Sequence, residues 1–261
     1  MRLAFEKYEG LGNDFVLVDV RGGGPAPGPA EARQLCDRRR GVGADGVLLV
    51  GPGRSAGASA SMIVYNADGS RPEMCGNGLR CVAHYVAGSA PASLVVDTDA
   101  GARGCEIEGG EVRVEMGWGR LKPSAVELEA AGQKVRLREV DVGNPHAVVF
   151  GPYDRSLFER LGPALATHPH FAAGANVEFV REGAGGELEV LVWERGVGPT
   201  EACGTGACAV AVAACAEGLR RRGEALRVRL PGGALEVRVG ANARLSMRGP
   251  ARRAFRGEVE V

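Results

Sequence analysis

Two cysteines stand in the same local sequence, Cys75-Gly76-Asn77-Gly78 and Cys203-Gly204-Thr205-Gly206. Each opens a segment that reads as a helix, Asn77 to Ala87 and Thr205 to Leu219. A helix N-terminus carries backbone N–H groups without intrahelical partners and a positive partial charge. Flanking glycines let the chain turn sharply and let a ligand approach those groups, so the site can hold a carboxylate. The same end favours a thiolate. A free thiol titrates near ~8.5, and a helix terminus contributes up to roughly 2 kcal/mol, about 1.5 pK units. Both thiols are therefore expected to ionise near neutral pH. One such cysteine would read as a nucleophile or a redox thiol. Two, symmetrically placed, fit the inversion of a stereocentre: one group removes a proton and the other delivers one to the opposite face.

The chain looks internally doubled. Asn66 precedes Cys75 by nine residues, and Glu194 precedes Cys203 by nine. Earlier in each half a Gly-Asn step leads into a strand-like run, Gly12-Asn13-Asp14-Phe15 and Gly143-Asn144-Pro145-His146, 62 and 59 residues before the cysteines. Two similar lobes, each presenting a sulfur, predict a cleft with facing thiols.

Blander readings compete. A cysteine is by default a small buried hydrophobe, and Cys36, Cys81, Cys105, Cys208 and Cys215 are assigned that role. Cys75 and Cys81, six apart, lie about 240° apart around a helix, there is no C-x-x-C pair and the four histidines are scattered. No metal site is expected. His84, His168 and His170 are given no role; His146 gains one only as the counterpart of the Asn13 segment. Asn13 and Asn66 could be plain turn residues, and Glu194-Arg195 a solvated charge pair. Lysine occurs three times (Lys7, Lys122, Lys134), never in a chemical-looking context, which weakens a pyridoxal reading. A thiol redox switch is the rival from another class.

These residues must be positioned by a globular scaffold. The chain has 261 residues, 32 basic against 32 acidic side chains and 45% hydrophobic content, enough for a real core and unlike a disordered segment. Zero net charge gives no footprint for nucleic acid. The longest apolar run, Ala207 to Ala216, is ten residues, short of a membrane span, and no signal peptide is evident at the start. Seven cysteines, an odd number, read as reduced thiols in a cytoplasmic protein. Short β-rich runs dominate, among them Phe15 to Val20, Val47 to Val50, Ser61 to Tyr65, Leu94 to Thr98, Val112 to Met116, Val135 to Val140, Ala147 to Phe150 and Leu188 to Trp193. A further helix is expected over Ala30 to Arg39, after the loop Gly22 to Pro29. The segment 205–219 is apolar on nearly every face, so sheet is expected to enclose it.

Together the two cysteine blocks closely resemble the diaminopimelate epimerase family. So do Gly10-Leu11-Gly12-Asn13-Asp14-Phe15, Gly41-Val42-Gly43-Ala44-Asp45-Gly46, Tyr65-Asn66-Ala67-Asp68-Gly69-Ser70, Gly143-Asn144-Pro145-His146 and Glu194-Arg195-Gly196, over essentially the whole chain. The resemblance implies an α+β fold of two pseudo-symmetric lobes, each a curled, mostly antiparallel sheet wrapped around a central helix. The lobes are expected over residues 1–117, with 250–261 returning to the first, and 118–249. It also implies a cofactor-independent, cytoplasmic epimerase, a homodimer, interconverting LL- and meso-diaminopimelate on the route to lysine and peptidoglycan. No cofactor, metal, nucleic acid or membrane is expected to take part. Carried over by motif, Cys75 and Cys203 are the acid/base pair, and Gly76, Asn77, Gly204 and Thr205 receive the reacting carboxylate. Asn13, Asn66, Asn144, Asn176, Glu194 and Arg195 contact substrate, and His146 and Glu194 tune the thiols. The related proline racemase group is the nearest alternative. One departure is visible: some relatives place a substrate-contacting glutamine where this chain has Gly46.

Overall fold

The computed structural model describes residues 1–88 and 90–261. The chain folds as two compact units, 1–114 with 248–261, and 115–247.

In the first unit the order is β1 (Arg2–Gly10), β2 (Asn13–Asp19), α1 (Pro29–Cys36), β3 (Gly46–Gly51), β4 (Ala60–Asn66), α2 (Gly76–Ala87), β5 (Ala92–Thr98), β6 (Gly101–Glu108) and β7 (Glu111–Trp118). β1 and β2 are antiparallel, β2 and β3 parallel across α1, and β3 and β4 antiparallel. β4 and β5 are parallel across α2, and β5, β6 and β7 continue antiparallel.

After the short strands β8 (Arg120–Leu121) and β9 (Val126–Ala130), the second unit repeats that scheme. Its elements are β10 (Gln133–Asp141), β11 (Pro145–Phe150), α3 (Arg155–Ala166), β12 (Asn176–Glu182), β13 (Leu188–Glu194), β14 (Gly198–Thr200), α4 (Gly204–Ala216), β15 (Ala225–Leu230), β16 (Gly233–Val239) and β17 (Arg244–Pro250). β10 and β11 are antiparallel, β11 and β12 parallel across α3, β12 and β13 antiparallel, and β13 and β15 parallel across α4. The last strand, β18 (Arg252–Glu260), runs antiparallel to β1 and so completes the first unit.

Each unit holds one helix inside its curled sheet and one outside. α4 is enclosed on nearly every face, Ala207 through Ala214 all being buried, against β10, β11, β12, β15 and β16. α2 packs on β1 to β6, with Leu79, Cys81, Val82 and Ala83 at the contact. The outer helix α1 places Ala32, Leu35 and Cys36 on Val47, Leu49 and Tyr65, and α3 places Phe158, Leu161 and Leu165 on Val177 and Phe179. Burying a Leu or Phe in this way contributes roughly 1.5–3 kcal/mol.

Several elements differ from the sequence expectation. α1 ends at Cys36 rather than Arg39, because Asp37 leaves helical geometry and its carboxylate accepts the Arg39 and Arg40 N–H groups at 2.8 Å, closing a turn. α4 ends at Ala216, since Gly218 adopts φ 73° and closes the turn after it. Helix α3 and strands β1, β6, β8, β9, β12, β14 and β17 were not among the expected elements. Cys215, expected in the core, is half-buried; Cys36, Cys81, Cys105 and Cys208 are buried.

Candidate active site

Register places the expected side chains of each unit at one end of its sheet. In the first unit Phe15 pairs with Gly46 and Gly46 with Asn66, so Asn13, Gly46 and Asn66 lie together. In the second, His146 pairs with Asn176 and Val177 with Trp193, which puts Asn144, Asn176 and Glu194 together. The chain then turns into α2 or α4 through the cysteine.

Cys75 and Cys203 share one backbone conformation, φ −138°, ψ 112° and φ −125°, ψ 111°, each the residue before its helix. The sulfur of Cys75 accepts the N–H of Gly78 at 3.4 Å, and that of Cys203 the N–H of Gly206 at 3.3 Å. Sulfur takes the position that an Asp or Ser oxygen usually fills as a helix N-cap. Gly76, Asn77, Gly204 and Thr205 form the first turns, where N–H groups have no intrahelical acceptor.

In the first unit a charged network fixes the polar residues. Asn77 Nδ2 donates to Asn13 Oδ1 at 3.3 Å, and Asn13 Nδ2 donates to Asp45 Oδ2 at 2.9 Å. Asp45 also accepts from Arg38, whose guanidinium bridges to Asp14 at 2.7 Å. Lys7, nearly buried, pairs with Asp14 at 2.6 Å and donates to the Gly43 carbonyl. The Asp45 carbonyl accepts the Ala67 N–H at 3.0 Å, tying the Asn66 turn to the same residue. Burial pushes the Asp14 carboxyl up, but Arg38, Lys7 and Asp45 outweigh it and hold the group at about 2. Lys7 thus has a structural task the sequence did not disclose. Gly46 has no room for a side chain: a Cβ would lie 2.7 Å from the Tyr65 carbonyl oxygen.

In the second unit the residues are more deeply enclosed. Asn144 Nδ2 donates to Thr205 Oγ1 at 3.5 Å, and the same hydroxyl lies 3.5 Å from Cys203 Sγ. His146 and Glu178 have no exposed side-chain surface; Nδ1 is 2.7 Å from Glu178 Oε1, and Nε2 is 2.9 Å from Asn144 Oδ1. Thr200 Oγ1 donates to Glu194 Oε1 at 2.7 Å, and the Cys203 thiol also reaches this carboxyl. Asn176 Oδ1 accepts the Arg195 N–H at 2.9 Å, while the Arg195 guanidinium donates to the Ala173 carbonyl at 2.7 Å.

The expectation of a lowered thiol pKa fails for Cys203. Burial, then the charges of Glu194 and Glu178, push that thiol well above its ordinary value, overriding the Thr205 and Gly206 hydrogen bonds. Burial also raises the Glu194 carboxyl, as does the charge of Glu178. The helix terminus is a modest effect beside desolvation and two carboxylates.

Among the contributors that escaped the sequence reading are Glu178, Thr200 and Asp45, with Lys7, Asp14 and Arg38 beside the last. A carboxylate within the otherwise apolar run Val177 to Val180 was the available signal for Glu178. Nothing local marked Thr200.

A curled-sheet unit built twice is a fold this chain shares with solved racemase and epimerase structures. The fold superimposes on a probable proline racemase from Agrobacterium radiobacter K84 with TM-score 0.78 at 16% identity, covering 99% of this chain and 93% of the other. A hydroxyproline epimerase from Agrobacterium vitis gives TM-score 0.77 at 18% identity, covering 99% and 92%. Sequence narrows the class. The family model described as diaminopimelate epimerase matches residues 5–122 and 139–254. The diaminopimelate epimerase of Desulforudis audaxviator is 46% identical, with 98% of this chain and 99% of that protein covered; that of Synechocystis is 42% identical with both covered completely. The chain belongs to the diaminopimelate epimerase family.

Proposed function

We propose that this chain interconverts LL- and meso-diaminopimelate by two-base proton transfer, without a cofactor. The observation that carries the reading is the pair of sulfurs, Cys75 and Cys203, each capping the amide end of a helix in the same backbone conformation. Relatives with more than 40% identity over nearly the full length bear the name of this activity. Cys203 rests as the thiol, its proton retained by burial and by Glu194 and Glu178. In that form it is the acid. Cys75 as thiolate takes the α-proton, the electron pair left on carbon is delocalised into the α-carboxylate, and the Cys203 proton is delivered to the opposite face. Helix-end N–H groups at Gly76, Asn77, Gly204 and Thr205 stabilise the charge gathering on that carboxylate. The reverse reaction exchanges the roles. Asn13, Asn66, Asn144, Asn176, Glu194 and Arg195 hold the remainder of the substrate, the guanidinium suiting a second carboxylate. Asn176 contributes largely by seating the Arg195 backbone.

The reading includes a homodimer acting in the cytoplasm; among the described residues no helix is long and apolar enough to cross a membrane. In deuterated water the α-hydrogen of LL-diaminopimelate should exchange as the meso form accumulates. Cys75→Ala and Cys203→Ala should each lose epimerisation by at least about 10²- to 10⁴-fold. Full activity in either variant sinks the two-base mechanism, and turnover of proline in place of diaminopimelate sinks the substrate. Light scattering on the purified protein decides the dimer.

A further inference from the structure

The two units are built alike but differ beneath their cysteines. In the first unit Phe15 and Leu48 fill the slot: Phe15 pairs with Gly46, Leu48 is two residues on, and a Cβ on Gly78 would meet Leu48 Cδ2 at 2.8 Å. In the second unit the corresponding residues are His146 and Glu178: His146 pairs with Asn176, Glu178 is two residues on, and a Cβ on Gly206 would meet Glu178 Oε1 at 2.8 Å. An apolar pair in one slot is replaced by an ionisable pair in the other. Burying such a pair is expensive, and apolar residues of similar volume are often at least as stable. Glu178 is wholly buried, and among the described residues its Oε2 has no hydrogen-bond partner. Stability does not account for its presence.

The hydrogen bonds show what it does. With the Asn144 amide nitrogen 3.5 Å from the Thr205 hydroxyl, its Oδ1 faces His146 at 2.9 Å and accepts, and in this arrangement Nε2 of His146 carries a proton. Nδ1 then either carries a proton donated to an ionised Glu178 or accepts one from a protonated Glu178. Either way one proton is held between Nδ1 and Oε1, and Nε2 remains a donor. We propose that Glu178 is a positioning residue that locks His146 as a fixed Nε2–H donor and thereby sets the orientation of the Asn144 amide. The proposal rests on the reading of Asn144 as a substrate contact. The titratable groups facing Glu178 are His146 from β11, Glu194 from β13 and Cys203 at the start of α4.

The first test needs no turnover. In enzyme labelled with ¹⁵N-histidine, with His146 assigned by its loss in His146→Phe, Nε2 should stay protonated between about pH 6 and about pH 9, across the range where a free imidazole titrates. A deprotonated Nε2 anywhere in that range overturns the proposal. The second test reads KM. Glu178→Leu, which recreates the first unit's residue, should raise KM for diaminopimelate about 10- to 100-fold. Glu178→Gln can donate its amide N–H to Nδ1, so it should bring KM back to within about threefold of wild type. An unchanged KM in Glu178→Leu, or no rescue by Glu178→Gln, overturns the proposal. If Glu178→Leu does not fold, the wild-type spectrum and the KM of Glu178→Gln still decide. Inactivity of the wild-type enzyme on diaminopimelate would sink the proposed function but not the ¹⁵N result, so the two failures are distinguishable.

Discussion

Thr200 donates its hydroxyl to the carboxyl of Glu194, Oγ1 to Oε1 2.7 Å, across a turn that folds β14 back onto β13. Glu194 is the residue nine before Cys203, and Thr200 is the side chain that holds it in place. Desolvation and the charge of Glu178 oppose its ionisation, while Thr200 favours it.

That balance gives Glu194→Gln a definite sign. A carboxyl whose folded pKa lies above its ordinary 4.5 gives its full stabilisation below that pH and loses it as pH rises through the folded value. Above that pH the buried carboxyl is therefore a burden on the fold. Glu194→Gln should raise Tm at neutral pH, with the gain vanishing below about pH 4, while epimerisation falls. Thermal melts across pH check this; a Tm no higher than wild type at neutral pH contradicts it. Thr200→Val removes a hydrogen bond to a charged group, an interaction of about 1.5–3 kcal/mol, and should reduce kcat/KM about 10- to 100-fold.

The opposite sign applies at Asp14. Its contacts with Arg38, Lys7 and Asp45 overcome burial and hold the carboxyl at about 2, below the ordinary 3.8. The contribution is present above that ordinary value and is lost as pH falls towards 2. Asp14→Asn should therefore be less stable than wild type at neutral pH, and the two should converge on acidification. Since Asp45 joins this network to Asn13, Asp45→Ala should raise KM several-fold, a loss of about 1 kcal/mol. Parallel Tm curves for Asp14→Asn and wild type down to about pH 2 count against the network.

How far these arrangements could be read beforehand depended on whether their cause was local. The sulfur caps of α2 and α4 follow from Cys-Gly-X-Gly itself, and the nine-residue spacings reflect a strand end and turn of equal length in both units. Helix α3 escaped because Gly162 and Pro163 interrupt it, although Phe158, Leu161 and Leu165 already recur at helical spacing. Strand β1 escaped because Glu6, Lys7 and Glu9 obscure the alternation, Lys7 being buried only through Asp14 and Gly43. The direction of the Cys203 shift could not be seen from the helix end alone. It depends first on burial within the folded unit, then on Glu194, and then on Glu178, 25 residues earlier in the chain.

Buried thiols set the alkaline behaviour. Burial pushes Cys36 up to about 11 and Cys81 up to about 12, and raises Cys203 well above its ordinary value of 9.0. Their stabilisation is complete below pH 9 and is lost as pH rises through the folded values. Tm should fall steeply between about pH 9 and about pH 11, and Cys36→Ala should flatten that fall. Mass spectrometry after iodoacetamide treatment near neutral pH should find Cys203 modified more slowly than the half-buried Cys75. Faster labelling of Cys203 would show that its proton is not held as described.

The third residue after each cysteine offers a matched pair of substitutions. Replacing a helical glycine by alanine gains up to about 1 kcal/mol where there is room. At Gly78 the new methyl would meet the far end of Leu48, which can move aside, and lies 3.5 Å from Cys75 Sγ. At Gly206 it would lie 2.8 Å from Glu178 Oε1 and 3.3 Å from Cys203 Sγ, and Glu178 is pinned by His146. Gly206→Ala should therefore lower Tm more than Gly78→Ala. It should also raise KM by about tenfold or more, since displacing Glu178 frees the ring that orients Asn144. Equal Tm losses in the two variants, or an unaltered KM in Gly206→Ala, would mean the carboxylate can yield without disturbing His146. Glu178 would then be filling space, as Leu48 does beneath the other sulfur.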